Sequence, residues 1–238
     1  MRTAYTVFRN LYNVRKMTMK LVLASGSQRR RELLTMCGYD YEIIVSNADE
    51  TIDENDPESF VRALSFRKAK EVFDRLFAAG RRDFAVIGSD TVVAFQKEGE
   101  TKPVIIGKPK DAEDAVRILS MLSGKTHRVF TGVSVIADIP DENAAAQCSI
   151  RKKAEIQTEC SITEVTFETL SPDEIADYVN SGDPLDKAGS YGIQGPFGMF
   201  VREIRGNYFT VIGMPIPVLY KMLKKIGILP HGFYERIE

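Results

Sequence analysis

Five short segments of the chain carry residues whose types and spacing could do chemistry. Ser25, Gly26, Ser27, Gln28, Arg29, Arg30 and Arg31 stand between an apolar run and a helical one. Backbone N–H groups at a helix start, two hydroxyls and adjacent guanidiniums form a cradle for a multiply charged oxyanion. Three successive arginines on a helix point in different directions, so one or two of them would reach a ligand. A solvated basic helix start would carry the same residues. Gly88-Ser89-Asp90-Thr91 places one acid between Val86-Ile87 and Val92-Val93. A sequestered carboxylate is costly unless a cation satisfies it, and magnesium would serve, although a turn acid reads the same way. Asp49-Glu50 is a second acid pair, either a metal site or solvated loop. Gly107-Lys108-Pro109 adds a cation. The run from Asp186 to Gly195, DKAGSYGIQG, is rich in small residues that permit close backbone approach to a ligand. Within it Gln194 offers an amide oxygen and an amide N–H side by side, an edge complementary to uracil or thymine.

Other chemistries fail on the residues. Leu119 to Thr126 ends in Gly-Lys-Thr but lacks the leading glycine of a P-loop, and Lys108 is followed by proline. No Gly-x-Ser-x-Gly elbow exists, so His127 reads better as a structural hydrogen-bonding residue than as a catalytic base. With His127 and His231 the only histidines, a metal would sit on oxygen ligands.

The elements that must hold these segments alternate between strand and helix, which favours an α/β architecture in one domain. Leu21 to Leu23 reads as a buried strand, Arg29 to Cys37 as a helix, and Tyr41 to Val45 as a second strand. Asp56-Pro57 opens a helix running toward Gly80, with Pro at its first position. Phe84 to Ile87 and Thr91 to Phe95 are strand-like around Gly88-Ser89-Asp90, and Lys97 to Ile105 reads as a surface loop. Asp111 starts a helix that Gly124 closes, Val129 to Ala137 forms a strand, and Glu155 to Phe167 alternates as a half-exposed strand does. Ser171-Pro172-Asp173-Glu174 is a capping box whose helix stops at Gly182. Phe200 to Ile204 and Tyr208 to Ile212 suggest a hairpin across Arg205-Gly206-Asn207, followed by a helix ending at Gly227.

Composition narrows the partners. Of 238 residues, 32 are Lys or Arg and 33 are Asp or Glu, a net charge of −1, so neither nucleic acid nor an anionic membrane is an expected partner. No apolar run reaches the length of a membrane-spanning helix. Cys37, Cys148 and Cys160 lie far apart and cannot all pair, which points to a reducing compartment, and with no secretory signal the expected location is the cytoplasm. Residues 1–19 hold Arg2, Arg9, Arg15 and Lys16 without an acid and are expected to be a flexible extension; residues 20–238 form the domain. The start of the protein could equally lie at Met17 or Met19.

Taken together, LASGSQRRREL, GSDTVV, GKP, LSGKTHRVFTGV, DKAGSYGIQG and VIGMP resemble the Maf family of nucleoside-triphosphate pyrophosphatases, in order, from about Lys20 to Leu229. The resemblance implies an elongated mixed β-sheet with flanking helices and two lobes around a cleft, related to the inosine-triphosphatase type. It implies metal-dependent cleavage between the α and β phosphates of a small nucleotide, with Mg²⁺ or Mn²⁺ on Asp90 and on Asp49 or Glu50, and it implies a homodimer. Ser27, Arg29 and Arg30 match the family's Ser-x-Arg-Arg segment as substrate-binding residues, and Asp90 matches its catalytic acid. Lys68 and Lys108 match two lysines, Asp49 an acidic position usually written Glu, and Gln194 the glutamine of the branch acting on dTTP and UTP. The 7-methyl-GTP branch tends to place an acid near that glutamine. A nucleotide-binding regulator of septum formation is the non-catalytic alternative. Gln28 stands where the family usually has Pro, a change that loosens the helix start, and Ser89 stands for the usual Ala.

Overall fold

The computed structural model describes residues 19–139 and 154–231. Its centre is a seven-stranded mixed sheet. The strands are β1 (Lys20–Leu23), β2 (Glu42–Ile43), β3 (Phe84–Phe95), β4 (Val104–Ile106), β5 (Thr126–Ala137), β6 (Glu155–Phe167) and β7 (Val201–Arg205). They run in the order β2-β1-β3-β5-β6-β7, with β4 beside β3. The helices are α1 (Gln28–Met36), α2 (Pro57–Ala78), α3 (Ala112–Leu122), α4 (Pro172–Asn180), α5 (Tyr208–Ile212) and α6 (Ile216–Lys225). Three short 3₁₀ turns, Asp183–Asp186, Ala188–Ser190 and Pro196–Phe200, lie between α4 and β7. This is the mixed sheet with flanking helices that the residues and the resemblance imply.

Local chemistry sets the helix starts. Asp56 accepts from the Ser59 N–H, Asp111 from the Asp114 N–H, and Ser171 with Glu174 completes a reciprocal capping box. Met19 is buried against the first core, so packed chain begins before Lys20.

Strand β3 organises everything else. It runs unbroken through Gly88-Ser89-Asp90 because β5 pairs with it residue by residue from Ala85↔Ala137 to Ala94↔Arg128. Asp90 is therefore a mid-strand residue and not a turn acid. On one face of the sheet, two apolar cores sit at opposite ends of the long strands. Leu21, Leu23, Leu34, Ile87, Val133 and Met214 belong to one. Val93, Phe95, Leu119, Val129, Phe167 and Phe197 belong to the other. Between them the inward positions turn polar: the Thr91 and Thr131 hydroxyls pair at 3.0 Å, and Ser161 pairs with Thr210 at 2.7 Å. A polar waist thus separates the two cores.

The opposite face carries α2, which lies directly on the strands. A Cβ at Gly88 would stand 2.2 Å from the Ser65 carbonyl oxygen, and one at Gly132 would stand 2.2 Å from that of Val61. No side chain fits there, and the two glycines let helix and sheet approach to backbone contact.

Three expectations change. The second strand shortens to Glu42–Ile43, and part of the Lys97–Ile105 loop becomes β4. The hairpin partner Tyr208 to Ile212 is instead helix α5. Asn207 caps it by accepting from the Phe209 N–H, and Gly213 at φ 107° ends it in the left-handed region. Residues 1–18, Met17 among them, and Cys148 lie outside the described residues.

Candidate active site

The edge of β3 that faces away from β5 changes partner partway along. Parallel β1 covers Phe84 to Ile87, antiparallel β4 covers Val93 to Phe95, and among the described residues no strand pairs with 88–92 on that side. The gap opens where β1 ends and the chain turns at Ser25 into α1. Ligands in open α/β sheets bind where neighbouring strands diverge in this way.

Asp90 points from this gap onto the α2 face. The glycine contacts seat α2 so that Lys68, next to Ala69 over Gly88, reaches Asp90 with its Nζ 2.7 Å from Oδ1. The same ammonium lies 3.0 Å from Glu50 Oε1. Lys68 and Asp90 are nearly buried, with side chains 13% and 12% exposed, whereas Glu50 is open at 66%. A lysine thus joins two carboxylates, one fixed in a strand and one on a solvent-facing loop.

Arg30 enters the gap from the other face. Its Nε donates to the Gly213 carbonyl at 2.8 Å, Nη1 to Ser25 Oγ at 3.2 Å and Nη2 to Thr91 Oγ1 at 3.3 Å. Burial lowers the Arg30 pKa; Asp90 and Glu50 favour its charge and Arg29 opposes it. The guanidinium is locked into the waist, and Ser89 reinforces the same corner by donating to the carbonyls of Gly132 and Gly213. Ser27 is the N-cap residue of α1 and makes no side-chain cap bond; its N–H is held by Ser25 Oγ at 3.2 Å. Gln28, in the place of a proline, begins the helix and ties to Glu32 at 2.9 Å. The arginines diverge as helical geometry requires: Arg29 turns to Asp186 at 3.2 Å, while Arg31 Nε is buried without a hydrogen-bond partner among the described residues.

Of the acid pair, Glu50 meets Lys68 and Asp49 does not. The Asp49 carboxylate caps the Thr51 N–H at 2.9 Å, a local turn that lowers its pKa through that hydrogen bond and points it to solvent. The structure thus brings Glu50, and not Asp49, to Lys68. Arg67 fixes the loop by donating to the carbonyls of Asp49 and Thr51, each at 2.8 Å.

Lys108 and Gln194 are exposed and make no side-chain hydrogen bond or ion pair among the described residues. Their segments are nevertheless joined to the gap. The Gly189 N–H donates to the Gly107 carbonyl at 3.0 Å, and Gly189 packs against Val93, two residues beyond Thr91 on the same face of β3. Beneath this loop His127 is buried, with Nε2 3.0 Å from the Tyr191 hydroxyl. Burial drives its pKa down to about 3, so it is a neutral structural group.

Sequence reasoning placed Ser25, Thr91 and Asp186 in their segments but not their contacts to Arg30 and Arg29, and it missed the Gly213 carbonyl. Asn207 and Gly213 are legible as helix punctuation in retrospect, and a helix there aims the Gly213 carbonyl at Arg30. Nothing local signals the Asp186 contact.

The arrangement is an α/β protein with one carboxylate-lysine-arginine notch at the divergence of two strands, able to take an anion chain on its cations and a cation on its acids. The family model described as Maf-like protein matches residues 20–226, and the chain belongs to that family. Relatives named dTTP/UTP pyrophosphatase include one from Agathobacter rectalis, 40% identical over 88% of this chain and 98% of its own length. Another, from Bacillus thuringiensis subsp. konkukian, is 42% identical over 88% of this chain and 96% of its own. The Staphylococcus aureus Ham1 protein structure covers 87% of this chain and 98% of its own at 15% identity and a TM-score of 0.44, too distant a likeness to define the fold by itself.

Proposed function

We propose that this protein hydrolyses dTTP and UTP to the nucleoside monophosphate and pyrophosphate. The observation that carries the chemistry is Lys68 held between Asp90 and Glu50 at the unpaired edge of β3, with Arg30 locked beside it. The substrate reading is supported by the relatives' names and by Gln194, whose amide can pair with the N3–H and O4 of a pyrimidine.

Two carboxylates on one ammonium form an all-oxygen donor set. Among the described residues no third acid, His or Cys joins them. That fits Mg²⁺ or Mn²⁺, which take one or two carboxylates and complete their shells with substrate phosphates and water. Asp90 and Glu50 would hold the ion; when bound it neutralises phosphate charge and acidifies a water. The chain's own groups do the rest. Arg30, Arg29 and the N–H groups at Ser27 and α1 bind the phosphate oxygens, and Lys108 closes on them from the β4 side. A carboxylate of the Asp90–Glu50 pair takes the proton of the attacking water. The bond from the α-phosphorus to the bridging oxygen breaks, and pyrophosphate leaves with the electron pair onto Arg and Lys charge. Lys68 holds both acids in place through its Nζ, 2.7 Å from Asp90 and 3.0 Å from Glu50. Free Cys37 and Cys160 suit a reducing compartment, and we assign the activity to the cytoplasm.

A panel of dTTP, UTP, dCTP, dATP and 7-methyl-GTP with Mg²⁺, Mn²⁺ or chelator, read as pyrophosphate release, tests this. The expected result is divalent-dependent turnover with the highest kcat/KM for dTTP and UTP. Tight retention of dTTP without pyrophosphate release would instead make the protein a binding regulator, and preference for 7-methyl-GTP would overturn the base assignment.

A further inference from the structure

Arg29 does not face the notch alone; it ends a hydrogen-bonded chain. Its Nη1 donates to Asp186 Oδ2 at 3.2 Å, across 157 positions of sequence. Asp186 Oδ1 accepts from Lys187 Nζ at 2.7 Å, which also donates to Asp183 Oδ1 at 2.9 Å. Asp183 Oδ2 accepts from the Tyr178 hydroxyl at 2.5 Å, and that oxygen accepts from the Gly192 N–H at 3.1 Å. Gly192 in turn accepts from the Gly195 N–H at 3.1 Å, closing a turn around Gln194. The four links from Arg29 to Tyr178 each involve an ionised group, the stronger kind of hydrogen bond, and the last two are neutral bonds of the Gly192 backbone. Steric fit seals the path: a Cβ on Gly192 would meet Lys187 Cε at 2.6 Å and Asp183 Oδ2 at 3.3 Å.

We propose that Asp186 is a positioning residue that couples the two ends of the substrate site: one carboxylate oxygen holds phosphate-side Arg29, and the other holds the Lys187–Asp183–Tyr178 frame that sets the Gln194 turn. This deepens the nucleotide-hydrolase reading and rests on it. A carboxylate beside a phosphate cradle opposes an anionic ligand, so its presence there is explained by what it orients. Burial raises the Asp183 and Asp186 pKa values, but hydrogen bonds and nearby cations outweigh it and both are lowered, so both stay ionised. The Arg29–Asp186 pair is itself exposed, at 30% and 66%, and such pairs contribute little to stability. A merely structural role therefore predicts a nearly silent Asp186→Asn substitution.

The test compares wild type, Asp186→Asn, Asp186→Glu, Gln194→Ala and the Asp186→Asn/Gln194→Ala double variant in dTTP turnover, with Tm recorded for each. If wild type releases no pyrophosphate, the functional reading fails and not this one. With wild type active, Asp186→Asn raises KM for dTTP by about tenfold, with kcat within about threefold and Tm nearly unchanged. Asp186→Glu recovers part of the loss. In the double variant KM rises less than the product of the single effects by about threefold or more, because the first substitution has already loosened the Gln194 turn. A KM that is unchanged or lower in Asp186→Asn, or single effects that simply multiply, would overturn the coupling.

Discussion

Two lysines in this protein are each held by two carboxylates, with similar burial and opposite surroundings. Lys68 meets Asp90 at 2.7 Å and Glu50 at 3.0 Å; Lys187 meets Asp186 at 2.7 Å and Asp183 at 2.9 Å. Their side chains are 13% and 12% exposed. Lys187 draws its partners from its own turn, one and four residues back, and the Asp183 carbonyl and the Tyr178 hydroxyl complete the cluster. Lys68 draws its partners from a strand interior and a separate loop, at a stretch of sheet edge with no neighbouring strand among the described residues. The same residue types therefore make a scaffold where local bonds surround the lysine, and a notch where the fold leaves a stretch of edge unpaired among the described residues. Partner count does not separate the two; sequence separation and the open edge do.

Replacement of the two lysines sharpens that contrast. Lys68→Met should lower kcat for dTTP by about 10²–10³-fold, the scale set by removing a preorganised charged group from a phosphoryl-transfer site. Lys187→Met should act first on stability, costing about 2 kcal/mol by leaving two carboxylates without their cation, or roughly 4–8 °C in Tm. Equal losses of kcat in both variants, measured well below either Tm, would erase the distinction.

Gly88→Ala probes the seat that brings Lys68 to Asp90. An added Cβ at 2.2 Å from the Ser65 carbonyl forces α2 off the sheet. The expected cost is about 3 kcal/mol, as for overpacking at a rigid contact, with kcat lost even in the fraction that remains folded. Thermal unfolding combined with turnover at low temperature reads both; a folded, fully active Gly88→Ala would show that the close approach does not position the pair.

The smallest effect concerns the scaffold side. His127 takes up a proton only near pH 3 in the fold, against about 6.5 when unfolded. Between those values the unfolded chain binds more protons, so stability falls as pH drops through that window. At pH 5 the loss is about 2 kcal/mol relative to neutral pH. His127→Phe should flatten the Tm difference between pH 7 and pH 5, a range above most carboxylate titration, and leave the Lys68 notch unaffected. An unchanged slope would remove His127 as the cause.

How much of this could be read beforehand follows the range of the interactions. Helix starts at Asp56, Asp111 and Ser171 were legible because a cap and its helix lie within four residues. Strands β5 and β6 announced themselves by apolar runs and alternation. Asp90 stood out as an acid in an apolar stretch, although its mid-strand setting depends on pairing with β5. Glu50 and Asp49 could not be told apart, since which neighbour turns to Lys68 is decided by an Asx turn at Thr51 and by Arg67. Tyr208 to Ile212 has strand-forming residues and became helix because Asn207 and Gly213 bracket too short a segment. The Arg29–Asp186 contact has no local signature at all.

In the proposed reaction the carboxylate of Asp90 acts with Lys68 and Glu50 at the open edge of β3. Pyrophosphate release from dTTP by Asp90→Asn, beside wild type and with folding confirmed by Tm, addresses it directly. The expected result is a fall in kcat of about 10³-fold or more, with Tm retained within a few degrees. Turnover by Asp90→Asn equal to wild type would contradict it.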